Sequence, residues 1–454
     1  MGKLLQGVDD IIRRGTVSGQ LADFIHGTSF RNLPTEVVEQ AKSRVLDSLG
    51  TAIAARGLPV PGVAFKFVQA NRGSATIFGY EQRVPAIDAA LVNATLINGG
   101  THDDFLYKSH PGAVTIPAAA AIAEEEGSSG QEFLASIVVG YELMARTYLG
   151  GPSMLPRFRA TGVAGAVGAA AAAAKLLQLQ PPEIMNALGC ATMFASGFGE
   201  GFLSGTMDVK LNVGWACRSG VSAALLARHG ATASPRAFEG ESGFFKAFAG
   251  TAEHAAAATR DLGKRFLISD VVYKERPVCI FVQTPVDLAR QLAQENNLDP
   301  GKIDRVFIRA PEATYTNPGF KNVAPFATQL QARISARFCT AAALLGKPLE
   351  SQALYQRTSD PDVLALAEKI ELLEPSDDTE RVYLEVTYDG TTLCKTGMEM
   401  DTMRPSLEKA IAKFRRLTAD LLGARSGQLI DTVLNLERVK HIRELTDQLQ
   451  GAKH

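Results

Sequence analysis

The sequence TGVAGAVGAAAAAAKLL, residues 161–177, admits two structural readings that lead to different folds. A glycine-rich phosphate loop needs a preceding strand and the GxGxxG order, and this stretch has neither. Its glycines, Gly162, Gly165 and Gly168, instead recur every three residues. Residues so spaced share one side of a helix, and glycine there lets a second helix come close. The stretch is read as a packing helix.

The same period extends in both directions. Upstream, TEVVEQAKSRVLDSLGTAIAARG places Val37, Val38, Ala41, Val45, Leu46 and Leu49 at helical spacing, with Thr35 as N-cap and Gly57 as stop. Pro85 to Ile97 is a second helix. PAAAAIAEEEG and GQEFLASIVVGYELMARTYLG are two more, separated by Gly127-Ser128-Ser129-Gly130. Downstream, PPEIMNALGCATMFASG and VGWACRSGVSAALLARHG continue the pattern, so residues 18–260 read as one all-α domain.

The pattern changes after about residue 267. KIDRVFIRAPE holds a short β-like run, and RVYLEVTYDGTTLCKTGME alternates Val382, Leu384, Val386 and Tyr388 with outward residues before Asp389-Gly390, a type I′ hairpin turn. Leu407, Ala410, Ile411, Phe414, Leu417 and Leu421 then restore helical spacing. The expected fold is mainly α, with a discontinuous helical domain over 1–267 and 405–454 and an α+β, lid-like domain with an antiparallel sheet over 268–404. No internal repeat or low-complexity linker interrupts it.

At 454 residues the chain exceeds one typical core, which agrees with two domains. With 46% hydrophobic and 21% charged residues and a formal net charge of −1, neither nucleic acid nor an anionic membrane is the expected partner. The five cysteines lack a CxxC pair, so reduced thiols without structural zinc are expected. The stretch MGKLLQGVDDIIRRG carries Asp9 and Asp10 where a secretory signal needs an apolar core, Gln6 stands where myristoylation wants Ser or Thr, and no run of eighteen apolar residues occurs. A cytoplasmic protein is expected.

Polarity concentrates in NATLINGGTHDDFLYKSHPGAVTIP, residues 93–117, between two helical segments. His102 and His110, two of seven histidines, flank Asp103, Asp104, Tyr107 and Lys108. Imidazole exchanges a proton near neutrality, and loops between rigid helices commonly hold catalytic groups. A solvated loop with capping aspartates uses the same residue types. His102, Asp104 and His110 are also the types of a two-His-one-carboxylate metal site, at a spacing that is unspecific, and no metal is expected.

Several segments together resemble the MmgE/PrpD family, whose members include 2-methylcitrate dehydratase, cis-aconitate decarboxylase and iminodisuccinate epimerase. They are LPTEVVEQAKSRVLDSLG, the 93–117 loop ending HPGAVTIP, TGVAGAVGAAAAAAKLL, EGESGFF from Glu239 and VVYKERPVCIF, in family order over nearly the whole chain. The resemblance implies a homodimeric, cofactor-free enzyme that moves a proton beside a carboxylate, with loss of water or carbon dioxide in some members. It aligns His110 with the active-site histidine, Lys274 with the active-site lysine, and Asp103 and Asp104 with the Asp-Asp of the loop. EGESGFF is expected to close one side of the pocket.

The chain also departs from the pattern. Asn98 stands where the family usually has His, Thr101 where it has its first Asp, Phe105 where a Thr often follows, and Arg159 where many members have His. The usual lysine of the KRLHxG pattern falls on Val209, with Lys210 one place later and Asn212 for the His. Thr101 removes a possible base, and Arg159 replaces a titrating group by a fixed cation.

The expected function is therefore a lyase of the hydro-lyase type acting on a small di- or tricarboxylate. His110, Lys274, Asp103 and Asp104 are the candidate catalytic residues, and Lys210, Arg159, Thr101, His102 and Arg276 the candidate substrate-binding ones. An isomerase or epimerase, and a paralogue that binds a metabolite without turnover, are the alternatives.

Overall fold

A computed structural model describes residues 13–375, 381–400, 403 and 406–451. The N-terminal residues 1–12 and the expected domain switch at 404/405 lie outside them. The chain is mainly α-helical and divides into two compact units. Described residues of 1–199, 208–271 and 405–454 form the first, and those of 200–207 and 272–404 the second.

The first unit begins with α1 (Val17–Gly27), α2 (Thr35–Ala54) and α3 (Pro59–Val68). Pro34, not Thr35, occupies the N-cap of α2, and the helix is over at Ala54, before Gly57. A short hairpin of β1 (Ala75–Thr76) and β2 (Arg83–Val84) leads to α4 (Ala86–Gly99). After the polar loop come α5 (Gly112–Glu126), α6 (Gly130–Gly150), α7 (Ala160–Leu176), α8 (Pro181–Phe194) and α9 (Asp208–Arg228).

The small-residue helix α7 lies between α5, α6, α8 and α9. A Cβ on Gly168 would stand 2.8 Å from Met144 Cβ, and one on Gly220 of α9 only 2.3 Å from the Ala166 carbonyl. Hydrogen at these two positions lets three helix backbones approach more closely than any side chain permits.

Helix α5 starts five residues before Pro117, where the apolar run suggested its beginning. Asp104 explains this: its Oδ1 accepts the Gly112 amide at 3.0 Å and so satisfies one of the orphan donors of the first turn. Pro117 lies inside the helix, where only the bond to Ala113 is forgone.

In the second unit, α10 (Ile280–Glu295), β3 (Ile303–Arg309), α11 (Ala336–Leu344), β4 (Ile370–Leu372), β5 (Arg381–Tyr388) and β6 (Thr391–Met398) follow in order. The sheet order is β4-β3-β5-β6. Two pairings are antiparallel, as expected, and β4 adds to β3 in parallel, so the sheet is mixed. Glu200–Met207 also group with this unit, where Gln331 donates to the Ser204 carbonyl at 3.4 Å. The chain then returns to the first unit as α12 (Leu407–Leu422), packed on α2, and α13 (Arg425–Leu434).

Both central residues of the β5–β6 turn have positive φ, 49° at Asp389 and 74° at Gly390, the type I′ geometry expected from Asp-Gly. A Cβ on Gly390 would meet nothing within 4 Å. Gly390→Ala therefore isolates the conformational cost and should lower stability by about 1 kcal/mol. Urea unfolding of the variant checks this, and an unchanged midpoint would contradict the turn assignment.

Candidate active site

Helix α4 delivers Asn98 to the polar loop, and three side chains converge on it. Asn98 Nδ2 donates to Asp103 Oδ2 at 2.6 Å, its Oδ1 accepts Arg159 Nη2 at 3.0 Å, and its main-chain carbonyl accepts Lys210 Nζ at 3.0 Å. A carboxylate on one side and a guanidinium on the other fix the orientation of the amide. Arg159 comes from the N-cap of α7 and Lys210 from the first turn of α9, so α4, α7 and α9 place both cations.

His110 joins the group through Asp103. Its Nδ1 lies 2.7 Å from the Asp104 carbonyl and 3.3 Å from Asp103 Oδ2. A carbonyl only accepts, so Nδ1 carries the proton of the neutral ring and Nε2 is its other nitrogen. The imidazole retains 16% exposure while the Asp103 side chain has none, so of the two His110 can meet a ligand.

The loop is held by its own backbone. Thr101 takes φ 57° and donates its amide to the Asn98 carbonyl, ending α4. Leu106 and Ser109 exchange both main-chain bonds at 2.9 Å around Tyr107 and Lys108, whose φ values of 46° and 65° make a type I′ turn without glycine. Tyr107 Oη donates to Asp270 at 2.6 Å, which fastens the turn.

Both carboxylate oxygens of Asp104 are engaged within the protein. It is fully enclosed, with Oδ1 on the Gly112 amide and Oδ2 accepting Tyr141 Oη at 2.6 Å. Burial, and next the nearby Asp47 charge, push its carboxyl up to about 7. The same penalty lowers Arg159 to about 10, which leaves it cationic at neutral pH.

The other candidates are distributed differently. His102 is buried, and its carbonyl accepts Lys413 Nζ at 2.6 Å. Thr101 lies just past the end of α4, its amide on the Asn98 carbonyl. Arg276 is committed to Asp287 at 2.6 Å and faces Glu350 at 3.6 Å within the second unit, so acids of its own unit occupy the cation expected to hold substrate. Lys274 is buried in that same unit. Of Val209 and Lys210, it is Lys210 that reaches the loop, while Val209 is core.

Gly240–Phe244 of EGESGFF line a cavity of about 870 Å³ together with Gly189, Cys190 and Thr192–Ala195, and none of Asn98, Asp103, His110, Arg159 or Lys210 borders it. Among the described residues no group of three or more His, Cys, Asp or Glu is placed to hold a metal ion, and His102, Asp104 and His110 are engaged separately as described. All five cysteines are free thiols. No helix among the described residues is long and apolar enough to cross a membrane.

Sequence reasoning named Asn98 only as a departure and passed over Asp47, Tyr141 and Lys413. The signal for Lys413 was present: it interrupts the apolar face formed by Ala410, Phe414 and Leu417.

Residues 19–257 match the MmgE/PrpD N-terminal domain, and residues 277–438 the MmgE/PrpD C-terminal domain. The chain belongs to the MmgE/PrpD family. Among its relatives is the cis-aconitate decarboxylase of Homo sapiens, 26% identical over 467 residues that cover 96% of this chain and 95% of that protein. The cis-aconitate decarboxylase of Aspergillus terreus is 25% identical over 494 residues, covering 98% of each. A cis-aconitate decarboxylase-like protein of Aspergillus oryzae is 25% identical over 480 residues, covering 98% of this chain and 99% of that one.

The raised Asp104 carboxyl makes a pH prediction. Between its ordinary value of 3.8 and about 7 the folded state holds a proton that the unfolded state has released, so this group's contribution to stability falls as pH rises through that window. Glu142, also raised to about 7 by burial, acts in the same direction. Asp104→Asn keeps the neutral form and removes the Asp104 share. Urea midpoints should show the variant gaining on the wild type between about pH 4 and about pH 7, and parallel pH profiles would contradict the assignment.

Proposed function

We propose that this family member is a lyase acting on a small tricarboxylate, and that it removes carbon dioxide from an acid of the cis-aconitate type. The observation that carries the reading is the convergence of Arg159, Lys210 and the His110–Asp103 pair on Asn98. Two fixed cations suit substrate carboxylates, and one oriented imidazole suits a proton transfer beside them. Similarity over nearly the full length to proteins named cis-aconitate decarboxylase supports the substrate class. Lys274 is proposed as a further contributor on the family resemblance.

In this scheme the bond from carbon to one carboxylate breaks and carbon dioxide departs. The electron pair stays on that carbon, delocalised toward the remaining conjugated carboxylate. Protonated His110 gives its Nε2 proton to the carbon, and solvent restores it. Dehydration needs both a base on carbon and an acid on the departing oxygen. The Asn98 cluster supplies one titrating imidazole with fixed cations, which favours decarboxylation over the hydro-lyase type expected from sequence. The proposal includes a homodimer in the cytoplasm that needs neither cofactor, nucleic acid nor membrane.

Proton NMR in deuterium oxide, with the purified chain and a panel of cis-aconitate, citrate, 2-methylcitrate, malate and iminodisuccinate, tests the reading. The expected result is release of carbon dioxide from cis-aconitate with one deuterium in the product. His110→Gln should lower kcat by about 100-fold or more. Arg159→Met should chiefly raise KM, by about 10-fold. Loss of water would instead indicate a hydro-lyase, exchange without a new product an isomerase, and tight binding without exchange a non-catalytic binder.

A further inference from the structure

Lys413 lies more than 300 residues beyond the polar loop in sequence, yet its ammonium is almost fully enclosed within the first unit beneath that loop. Nζ lies 2.6 Å from Asp47 Oδ1 on α2 and 2.6 Å from the His102 carbonyl. Ala410 and Phe414, its neighbours on α12, are core residues, so packing alone would favour an apolar side chain here. Burying an ammonium is costly unless its bonds are made, and one of these two bonds is to the loop backbone itself.

That carbonyl occupies a particular place. It belongs to the residue preceding Asp103, whose carboxylate holds Asn98 and faces His110. One residue further, the Asp104 carbonyl accepts His110 Nδ1. The segment 101–104 is thus anchored at Thr101 by α4, at His102 by Lys413 and at Asp104 by His110, Gly112 and Tyr141. Of these anchors, Lys413 alone comes from the C-terminal segment. Gly112 lets the Asp104 carboxylate and the hydroxyls of Ser48 and Tyr141 crowd the start of α5, since a Cβ there would lie 2.6–2.9 Å from all three.

We propose that Lys413 is a positioning residue for His110: by holding the His102 carbonyl it sets the plane of the 102–103 peptide, and through it the Asp103 carboxylate and Asp104 carbonyl that orient the imidazole and fix its Nδ1–H tautomer. The inference rests on the reading of His110 as the acid–base group. A purely structural role, neutralising Asp47, makes a different prediction. It requires only that the charge of the pair balance, whereas positioning requires the donor to the His102 carbonyl.

Two variants separate these roles. Asp47→Asn keeps Lys413 and its bond to His102. Lys413→Met/Asp47→Asn removes both charges, so no buried charge is orphaned, but it also removes the donor. Thermal unfolding establishes that each variant is folded, and 15N-histidine NMR, with the His110 signals assigned through His110→Gln, reads the tautomer whether or not the protein turns over cis-aconitate. Asp47→Asn should retain the Nδ1–H tautomer and near wild-type kcat. The double variant should show a mixed tautomer, with kcat lowered about 10- to 100-fold and KM changed less than about twofold. A folded double variant with the wild-type tautomer and kcat would overturn the proposal. If the double variant does not fold, Lys413→Arg decides, because it keeps a donor and should keep the tautomer, and a mixed tautomer there refutes the role. A wild type that turns over no acid would defeat the functional reading, while the tautomer comparison would still judge Lys413.

Discussion

Burying charge beneath the 98–112 loop is the constraint on which the rest of the first unit depends. Asp47, Asp103 and Asp104 are excluded from water together with Arg159, Lys210 and Lys413. Each such group is costly unless a partner of opposite charge or a hydrogen bond meets it, and here the partners come from different helices. Lys413 of α12 reaches Asp47 of α2, Tyr141 of α6 reaches Asp104, and Arg159 and Lys210 reach Asn98 from α7 and α9. Displacing one helix would leave a charge on another without its bond, so the network fixes the relative positions of elements that packing alone would hold less specifically.

The apolar scaffold makes that precision attainable. Glycines on α7 and α9 allow backbone contact, so the positions from which Arg159 and Lys210 extend are set by rigid helices. The loop they serve is equally constrained, with positive φ at Thr101, Tyr107 and Lys108 maintained by main-chain bonds. Backbone conformations that ordinary side chains rarely adopt persist where the surroundings overdetermine them, and they recur at functional sites. His110 thereby receives both a fixed tautomer and a nearby carboxylate, while the adjacent Arg159 remains charged at neutral pH.

Much of this was legible from residue order alone. Helical periodicity and the small-residue pattern of 161–177 reflect local geometry, which each segment expresses on its own, and they identify a mainly α chain. Asp389-Gly390 likewise states its turn, since positive φ at two successive positions selects those residue types. The concentration of polar groups in 93–117 marked the loop, and its resemblance to the family pointed to His110. The parallel placement of β4 was not legible, because a three-residue strand carries no periodicity and its direction depends on where the chain returns. Nor was the early start of α5, which depends on a carboxylate eight residues upstream.

Residue order carries the set of elements and the chemical inventory of the loop: these follow from spacing, side-chain type and backbone preference within a few residues. Which members of that inventory share a task was decided by tertiary structure. Asp103 and Asp104 are adjacent and chemically identical, yet one faces the imidazole and the other caps a helix. Arg159 and Arg276 carry the same cation, yet one holds Asn98 and the other is paired with Asp287. Alignment register left Lys210 beside the family's lysine position, and the helix carrying it turned that side chain toward the loop. Burial, partner and protonation depend on atoms brought from distant parts of the chain, and linear spacing does not encode those distances.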